Sequence, residues 1–296
     1  FKKTYTSTRF GKRRMVKKIK LAVIGSPISH SRSPEIHQEF ADQAGIDIEF
    51  SKVELSKSNL DDWVHSFFLD GGRGLSVTLP FKEDCLSLAD KISDRAEITK
   101  AINVLYNYKG KILGDCTDGV GLVKDLIVNK NQSIKEKSIL VIGAGGASRG
   151  ILPSLIKEQP KSIVIANRTE EKAQRIVEEF SSKALQTSKS SNLIASSLSL
   201  ESMKDFEFDL VINATSVSTN PSQNLNLDES IFRNASLALD LYYSQAFTPF
   251  MDLADRAKVP TVIDGWGMLV EQAAESFFLW TGFKPDTSEL IAKHGE

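Results

Sequence analysis

A regular alternation of short apolar runs and amphipathic segments is the feature that most constrains how this chain can fold. The runs are rich in valine, isoleucine and leucine, and most are followed by a segment with helical periodicity. Such alternation is typical of α/β units, in which helices cover both faces of a parallel sheet. We therefore predict an α/β fold with strands at residues 21–24, 46–53, 75–77, 102–106, 139–142, 163–166, 210–213, 237–241 and 261–263.

Capping residues mark several helix boundaries. Ser33-Pro34 offers an N-cap followed by proline at the first helical position, and Gly45 ends that segment. Thr248-Pro249 repeats the same arrangement, and the sequence Asp-Thr-Ser-Glu at 286–289 has the pattern of a capping box. These signals predict helices that begin at residues 34, 249 and 287.

The number of predicted strands favours two sheets over one. A break near residues 118–121 gives each half its own sheet, and residues 119–130 are predicted to form a helix that crosses between the halves. Residues 106–114, centred on Lys109-Gly110, predict a hairpin, so one strand of the first sheet should be antiparallel. The helices from Trp266 onward could pack on either half by their pattern alone.

Composition excludes several functional classes. The 37 basic and 38 acidic residues give a net charge of -1, so no basic excess exists for nucleic-acid binding. The apolar runs are far shorter than the roughly 20 residues of a membrane span. Cys85 and Cys116 form no C-x-x-C pair, which argues against a disulfide framework and fits a reducing cytoplasm. The four histidines form no ligand cluster, so we predict no metal site.

The first twenty residues differ from the rest because they hold nine basic residues and no acidic one. They lack an apolar face, and Met15 directly precedes the first strand-like run. We predict that residues 1–19 are a disordered basic arm upstream of a start near Met15. A transit peptide, which is also rich in arginine and hydroxyl residues, is the alternative.

Residues 138–150 form the strongest single motif, a strand that leads through a glycine-rich turn into a helix. Gly143 permits a tight turn, and Gly145 and Gly146 let the backbone approach a pyrophosphate at the helix N-terminus. The third small position of the G-x-G-x-x-G pattern falls on Ser148. Because the motif follows a strand and opens a helix, it predicts dinucleotide binding. A glycine turn used only for packing is the alternative.

The end of the next strand predicts which dinucleotide is bound. NAD enzymes place an acidic residue there for the ribose 2′-hydroxyl, whereas this chain has Asn167 followed by Arg168. Asn167 and Thr169 can donate to a 2′-phosphate, while Arg168 and Lys172 can pair with its charge. NADP is therefore predicted. The acidic residues at 170–171 are discordant unless they serve the helix N-terminus.

Three motifs of the first half place polar residues after predicted strands. Residues 25–34 contribute Ser31 and Ser33, residues 74–82 contribute Lys82, and residues 114–121 contribute Asp118. The carboxyl ends of strands are the usual ligand side of an open α/β sheet. Each residue also has an ordinary structural interpretation, since Ser33 and Asp118 could serve helix starts and Lys82 could be a surface lysine.

With these motifs in place, the chain resembles the shikimate dehydrogenases from about Lys20 to its C-terminus. The resemblance rests on separate motifs in the family's order: GSPISHSRSP, SVTLPFK, AINVL, GDCTDGVG, GAGGASRG, NRT, NATS, TPF and GWGMLVEQAAESF. It implies a substrate domain and a Rossmann-like NADP domain that face each other across a cleft. The implied boundaries are a basic arm at 1–19, a substrate-binding domain at 20–118, an NADP-binding domain at 119–264 and helices at 265–296 that return to the substrate domain.

The resemblance also implies a role for individual residues. It makes Lys82 and Asp118 the catalytic pair. The substrate contacts that it implies are Ser31 and Ser33 near the carboxylate, Thr78, Asn103 and Gln272 at ring hydroxyls, and Asp118 and Tyr243. The cofactor contacts that it implies are Gly143, Ala144, Gly145, Gly146 and Ala147 at the pyrophosphate, Asn167, Arg168, Thr169 and Lys172 at the 2′-phosphate, Leu241, Gly265 and Met268 near the nicotinamide half, and Asp94 and Thr215.

This chain departs from the family's usual pattern at three positions. Asparagine is frequent where this chain has Ser76 or Cys116, and threonine is frequent where it has Val104. Each change shortens or removes a polar group near the substrate loops. The reaction type is expected to be intact, while affinity and substrate range are left open.

The activity implied is the reversible, NADPH-dependent reduction of 3-dehydroshikimate to shikimate, a step towards aromatic amino acids. Lys82 would donate the proton, with burial lowering the pKa of its amine and Asp118 opposing that shift; which effect is larger is left open. The alternative functions are a quinate/shikimate dehydrogenase of broader specificity that prefers NAD, and a non-catalytic ligand-binding sensor. We expect a cytoplasmic enzyme with a small-molecule substrate, and the homodimer common among metabolic enzymes is compatible with the sequence.

Overall fold

The computed structural model describes residues 18–184, 192–219, 227–244 and 246–294. The predicted basic arm lies outside the described residues up to position 17, and the first strand begins at Ile19. The strands are β1 Ile19–Gly25, β2 Ile48–Glu54, β3 Gly72–Val77, β4 Lys91–Ile92, β5 Val104–Tyr108, β6 Lys111–Asp115, β7 Ser138–Ile142, β8 Ser162–Asn167, β9 Asn192–Ser197, β10 Leu210–Asn213, β11 Leu237–Asp240 and β12 Thr261–Ile263. The α-helices are α1 Ser33–Ala44, α2 Leu60–Leu69, α3 Asp94–Thr99, α4 Asp118–Lys124, α5 Gly146–Lys157, α6 Glu170–Ala184, α7 Leu200–Met203, α8 Pro249–Arg256, α9 Trp266–Thr281 and α10 Ser288–Ala292.

The first sheet has the strand order β2-β1-β3-β5-β6-β4. Its pairs are parallel except at β5, which is antiparallel to both of its neighbours, β3 and β6. Lys109 and Gly110 form the turn between β5 and β6 with positive φ angles of 53° and 81°. The predicted hairpin and its single antiparallel strand are therefore confirmed.

The second sheet has the order β9-β8-β7-β10-β11-β12, and its pairs are parallel. The strand order reverses between β7 and β10, which is where doubly wound sheets bind ligands. The residues from Ile139 to Ile142 in β7 are completely buried, as expected when helices cover both faces of a parallel sheet. The predicted fold class, two α/β units of which one is Rossmann-like, is confirmed.

Two of the predicted helix starts need correction. Thr248 caps α8 as predicted, because its hydroxyl accepts a hydrogen bond from the N–H of Met251 at 3.2 Å, and Gly45 ends α1 with a φ of 65°. Ser33, however, is the first residue of α1 and not its N-cap, which is Arg32.

The predicted capping box at 286–289 is also wrong. The carboxylate of Asp286 accepts from the N–H of Ser288 at 2.9 Å, and Thr287 makes no side-chain cap. The hydroxyl of Thr287 donates to the buried carboxylate of Glu271 in α9, at 2.7 Å. In a capping box the N–H of Asp286 would bond the side chain of Glu289, but it donates to Oε1 of Gln43 in α1 at 2.8 Å, so a tertiary contact has replaced the local one.

Helices α4 and α9 connect the two sheets. The chain leaves the first sheet through α4, continues as a π-helical turn at Asp125–Asn129, and enters the second sheet at β7. A methyl group on Gly121 of α4 would lie 2.6 Å from the backbone nitrogen of Gln272, so only glycine permits this approach to α9. Further along α9, Trp280 lies against Gly74 of β3, which attaches the helix to the first sheet.

Among the described residues, no helix is long and apolar enough to cross a membrane.

Candidate active site

A cavity of about 210 Å³ lies between the carboxyl ends of the two sheets and receives side chains from both. It is lined by Val23, His30, Ser31, Ser33, Ser76, Val77, Thr78, Lys82, Asn103, Asp118, Ala147, Leu241, Tyr243, Gly265, Met268, Leu269 and Gln272. The structure thus brings together every residue that was predicted to contact the substrate. A larger cavity of about 320 Å³ lies where β10 and β11 begin, and none of the predicted site residues lines it.

Lys82 reaches the cavity through a turn that follows β3. The N–H of Phe81 donates to the carbonyl of Thr78 at 3.1 Å, which closes the turn and directs the next side chain back towards the sheet. The neighbouring loop after β1 is equally tight, because a methyl group on Gly25 would lie 2.5 Å from Cγ2 of Thr78. Lys82 Nζ donates to Oδ2 of Asp118 at 2.6 Å, and both side chains are largely buried.

Asn103 fixes the other oxygen of Asp118. Its Nδ2 donates to Oδ1 of Asp118 at 2.9 Å, while its Oδ1 accepts from the N–H of Thr117 at 2.7 Å. A backbone N–H can only donate and a carboxylate can only accept, so these two partners determine the orientation of the amide. Asp118 therefore has one oxygen bound by Asn103 and the other by Lys82.

The side chain of Gln272 presents an acceptor oxygen to the amide of Asn103. Its Nε2 donates to the carbonyl of Leu269 at 2.9 Å, which directs Oε1 towards Nδ2 of Asn103, 3.1 Å away. The hydroxyl of Thr117 also accepts from Asn103, at 2.9 Å, and lies 3.2 Å from Oγ of Ser276. Neither Thr117 nor Ser276 was among the predicted site residues, although Thr117 directly precedes Asp118 in the GDCTDGVG motif.

The charge of Lys82 follows from two opposed effects. Burial lowers the pKa of its amine, but the carboxylate of Asp118 raises it through charge attraction and a hydrogen bond, and the net shift is upwards. Burial raises the pKa of the neighbouring thiol of Cys116 to about 12, so it is a neutral thiol at physiological pH. The question that the sequence left open is thus answered in favour of the ion pair.

The two serines of the first loop lie side by side at the cavity. Oγ of Ser31 donates to Oγ of Ser33 at 3.2 Å and accepts from the N–H of Ser33 at 3.3 Å. Tyr243 enters from the second sheet, and its hydroxyl donates to the carbonyl of His30 at 3.2 Å. This contact joins the two sheets at the cavity.

The three departures from the family pattern have different surroundings. Ser76 lines the cavity and pairs in register with Val104, which is completely buried. Cys116 is also buried, with its sulfur 4.0 Å from Oδ2 of Asp118. Of the three, only Ser76 lies where a bound ligand could contact it directly.

The glycine-rich turn after β7 is tight and has open space in front of it. Gly143 has a φ of 109°, which disfavours any residue with a side chain. A methyl group on Gly145 or Gly146 would meet no atom within 4 Å, so the space in front of the turn is open. The hydroxyl of the buried Ser148 donates to the carbonyl of Gly143 at 2.7 Å, which explains why serine suits the third position.

Helix α5 begins at Gly146, and the N–H of Arg149 is the first to bond backwards, to the carbonyl of Gly145 at 3.1 Å. The N–H groups of residues 146–148 therefore have no hydrogen-bond partner within the helix and can bind an anion. Thr215 lies across the strand reversal, where its Cγ2 would be 3.0 Å from a methyl group on Gly143.

The residues predicted at the 2′-phosphate lie beside this turn, because Ala166 of β8 accepts from the N–H of Gly143 at 2.8 Å. Asn167 ends β8, and its Nδ2 donates to the carbonyl of Thr169 at 2.8 Å. Arg168 and Lys172 are exposed, and neither forms an ion pair with another described residue. The glutamates at 170–171 occupy the first turn of α6, where the helix dipole favours acidic residues.

Two cofactor candidates have distinct surroundings. Asp94 is exposed at the start of α3 and does not line the cavity. Gly265 lines it and could not carry a side chain, since a methyl group there would lie 2.2 Å from the carbonyl oxygen of Leu241.

Models of three protein families match the chain. Residues 23–105 match the shikimate dehydrogenase substrate binding domain, residues 125–241 match shikimate / quinate 5-dehydrogenase, and residues 265–292 match the shikimate 5'-dehydrogenase C-terminal domain. The matched ranges include strands of both sheets and the whole of the last two helices.

Individual relatives match over nearly their whole length. The shikimate dehydrogenase (NADP(+)) of Chromobacterium violaceum is 40% identical over 269 residues, which cover 91% of this chain and 95% of the relative. The enzyme of the same name from Nitrosospira multiformis is 42% identical over 270 residues, covering 91% and 94%.

Solved structures agree in fold. An Ael1 enzyme from Pseudomonas putida superposes with a TM-score of 0.84 at 36% identity, covering 94% of this chain and 99% of that one. The shikimate 5-dehydrogenase of Thermus thermophilus, in complex with NADP(H) and shikimate, gives a TM-score of 0.80 at 29% identity, with 93% and 97% covered.

Proposed function

This chain belongs to the shikimate dehydrogenase family, and we propose that it reduces 3-dehydroshikimate reversibly to shikimate with NADPH. The single observation that carries the proposal is the buried pair of Lys82 and Asp118 in a polar cavity next to the glycine-rich turn. A proton donor, hydroxyl-binding groups and a dinucleotide site thus meet at one place, as reduction of a polyhydroxylated ring ketone requires.

Lys82 is proposed as the proton donor. NADPH, when bound, supplies the hydride to the carbonyl carbon. The ketone oxygen then gains negative charge, and the ammonium group of Lys82 transfers a proton to it. In the reverse direction the neutral amine removes the proton from the substrate hydroxyl. Asp118 holds the amine at 2.6 Å and favours its charged form.

The cavity offers donors and acceptors in fixed directions to the other substrate groups. Ser31 and Ser33 are proposed to donate to the ring carboxylate, and Asn103 to bond a ring oxygen. Nε2 of Gln272 has one N–H bound to the carbonyl of Leu269 and a second that can donate to a ring hydroxyl, while Oε1 can accept from one. An analogue lacking that hydroxyl leaves a polar group unpaired, which costs about 1–3 kcal/mol. Thr78 and Tyr243 are proposed to complete the contacts.

The second sheet is proposed to hold NADP. The residues fit this cofactor. Space is open in front of the turn at 143–147, and the first N–H groups of α5, which have no partner within the helix, lie at that space. Asn167, Arg168, Thr169 and Lys172 are proposed at the 2′-phosphate; the exposed cations and the lack of an acid at position 167 support this. Leu241, Gly265 and Met268 are proposed along the nicotinamide half, Ala147 with the rest of the turn at the pyrophosphate, and Thr215 and Asp94 as further cofactor contacts.

The division into units at 20–118, 119–264 and 265–296 is likewise proposed. The packing of Trp280 against Gly74 supports the return of the last helices to the first unit. We also propose a cytoplasmic location and a homodimer, which cell fractionation and analytical ultracentrifugation would test.

The deciding experiment is a set of initial-rate measurements with shikimate and quinate, each against NADP and NAD. Rapid turnover of shikimate with NADP, and far slower turnover in the other three pairings, is expected. Comparable rates with quinate and NAD would favour a quinate/shikimate dehydrogenase. Ligand binding without turnover in any pairing would favour a non-catalytic sensor.

A further inference from the structure

We propose that Asp240, the last residue of β11, is a positioning residue that holds the cofactor-side wall of the cavity in place. The inference rests on the proposed function, because it assigns that wall to the nicotinamide half of NADP. Asp240 is completely buried at the carboxyl edge of the second sheet. Among the described residues, no lysine, arginine or histidine forms an ion pair with it.

Four hydrogen-bond donors surround this carboxylate. Oδ1 accepts from Nδ2 of Asn213 and from the N–H of Tyr242, both at 3.1 Å. Oδ2 accepts from the hydroxyl of Ser218 at 2.5 Å and from that of Thr248 at 2.7 Å. Two donors come from the end of β10 and the turn after it, and two from the loop between β11 and α8, so one side chain ties the segment that follows β10 to the segment that follows β11.

The hydroxyl groups cannot easily reverse their direction. Oγ1 of Thr248 already accepts from the N–H of Met251 at 3.2 Å, and Oγ of Ser218 accepts from Nδ2 of Asn213 at 3.2 Å. Their own protons therefore point at Asp240, as do the two N–H groups. An asparagine at position 240 would present only one acceptor oxygen to the four donors, so at least part of the set would lose its partner.

One branch of this set leads to the glycine-rich turn. Oδ1 of Asn213 accepts from the hydroxyl of Thr215 at 2.7 Å and from its N–H at 3.2 Å. Thr215 in turn lies against Gly143, the residue that makes the turn. Asp240 fixes the amide of Asn213, and Asn213 fixes Thr215 in the space beside the proposed pyrophosphate site.

The other branch leads to the substrate cavity. Tyr242, whose N–H is bound to Asp240, accepts with its carbonyl from the N–H of Gly265 at 3.3 Å. Leu241 and Tyr243 flank Tyr242, and both line the cavity together with Gly265. Loss of the anchor at Asp240 would therefore shift several wall residues at once, although Asp240 itself does not line the cavity.

Hydride transfer depends strongly on such placement, since a misplacement of about 1 Å can reduce a rate by about 10²-fold. For Asp240→Asn we expect KM for NADP to rise and kcat/KM for NADP to fall by roughly 10- to 100-fold. We also expect a larger isotope effect with shikimate that carries deuterium at the carbon that loses hydride, because hydride transfer becomes more strongly rate-limiting. A purely structural role would lower the melting temperature and leave KM and the isotope effect of the folded enzyme unchanged.

Asp209→Asn is the matched control. Asp209 precedes β10 at the opposite edge of the same sheet, where its carboxylate accepts from the N–H of Ser138 and from Lys137 at 2.8 and 2.9 Å. Its loss should lower the melting temperature without changing KM for NADP. Ser218→Ala removes a single donor from Asp240 and is the milder second variant if Asp240→Asn does not fold. It should also raise KM for NADP, by less than Asp240→Asn.

Normal KM for NADP and a normal isotope effect in folded Asp240→Asn, or in Ser218→Ala if only that variant folds, would overturn the inference. Equal kinetic losses in the Asp209→Asn control would also overturn it, because the effect would then be one of general stability. If the unaltered enzyme shows no shikimate-dependent reduction of NADP, the proposed function fails instead, and the two failures are thereby distinguished.

Discussion

The Nζ atom of Lys82 lies 2.6 Å from Oδ2 of Asp118, and this contact outweighs burial in setting the charge of the lysine. Burial alone would lower the pKa of the amine, whereas the carboxylate raises it above its ordinary value. Lys82 is therefore protonated at neutral pH, which is the form that its proposed role as proton donor requires. In the proposed mechanism, oxidation of shikimate needs the neutral amine, so that direction should accelerate as the pH rises into the alkaline range.

Replacing Asp118 with asparagine should shift this alkaline limb to lower pH. The variant removes the negative charge that raises the pKa of Lys82 and leaves the burial that lowers it. The measurement is the pH profile of kcat/KM for shikimate oxidation. Asp90→Asn, at an exposed carboxylate beside the same sheet, is the control and should leave the limb in place. A limb that stays fixed in Asp118→Asn would show that another group controls it.

Replacing Lys82 with alanine should lower kcat by about 10²–10⁴-fold, the usual contribution of a general acid–base group. KM for shikimate should change far less, and NADP binding should be nearly normal because the glycine-rich turn is on the other sheet. Steady-state kinetics and cofactor titration test both statements. Lys57→Ala removes an exposed lysine that also pairs with an aspartate, Asp84, and should behave as wild type. Retention of most of kcat by folded Lys82→Ala would leave Asp118 or a water as the proton carrier.

Replacing Arg168 with alanine should raise KM for NADP and change KM for NAD much less. Only NADP carries the 2′-phosphate, and Arg168 lies exposed at the end of β8 without an ion-pair partner among the described residues. Initial rates with each cofactor give the comparison. Arg175→Ala, at an exposed position farther along α6, is the control. An equal loss with both cofactors would mean that Arg168 stacks on adenine or serves the fold.

The sheets could be predicted because their signal is local. Strands buried on both faces give apolar runs such as the one in β7, and the glycine-rich turn needs Gly143 for its positive φ. The predicted capping box at 286–289 is wrong because the N–H of Asp286 bonds the side chain of Gln43 in α1, 243 residues away in the sequence, and not that of Glu289. Local rules predict what neighbouring residues can do, and a tertiary contact can replace their partner.

The organisation of the site beyond its direct contacts could not be predicted for the same reason. Thr117 contacts Asn103 and Ser276, which are 14 and 159 residues away in the sequence, and Asp240 accepts from Asn213, which is 27 residues away. The sign of the Lys82 pKa shift also depends on an interatomic distance, and sequence supplies only the identity of the two groups.

A second ion-pair group, at Glu179, joins the two sheets away from the cavity. Its carboxylate on α6 pairs with Lys100, which follows α3 of the first unit, at 2.7 Å and with Arg149 of α5 at 2.8 Å. Burial alone would raise the pKa of Glu179, but the hydrogen bonds and charges of Lys100 and Arg149 prevail and lower it to about 2. A lowered pKa means that the ionised carboxylate stabilises the folded state.

Glu179→Gln should therefore lower the free energy of unfolding by about 1–3 kcal/mol at pH 7. That stabilisation is complete above the ordinary glutamate pKa and is lost as the pH falls towards 2, so the difference between variant and wild type should shrink between pH 6 and pH 3. Urea unfolding at both pH values measures it. Glu178→Gln, at the adjacent exposed carboxylate, is the control and should differ little from wild type at either pH. A difference for Glu179→Gln that is the same at pH 6 and pH 3 would contradict the lowered pKa, because a neutral packing defect does not titrate.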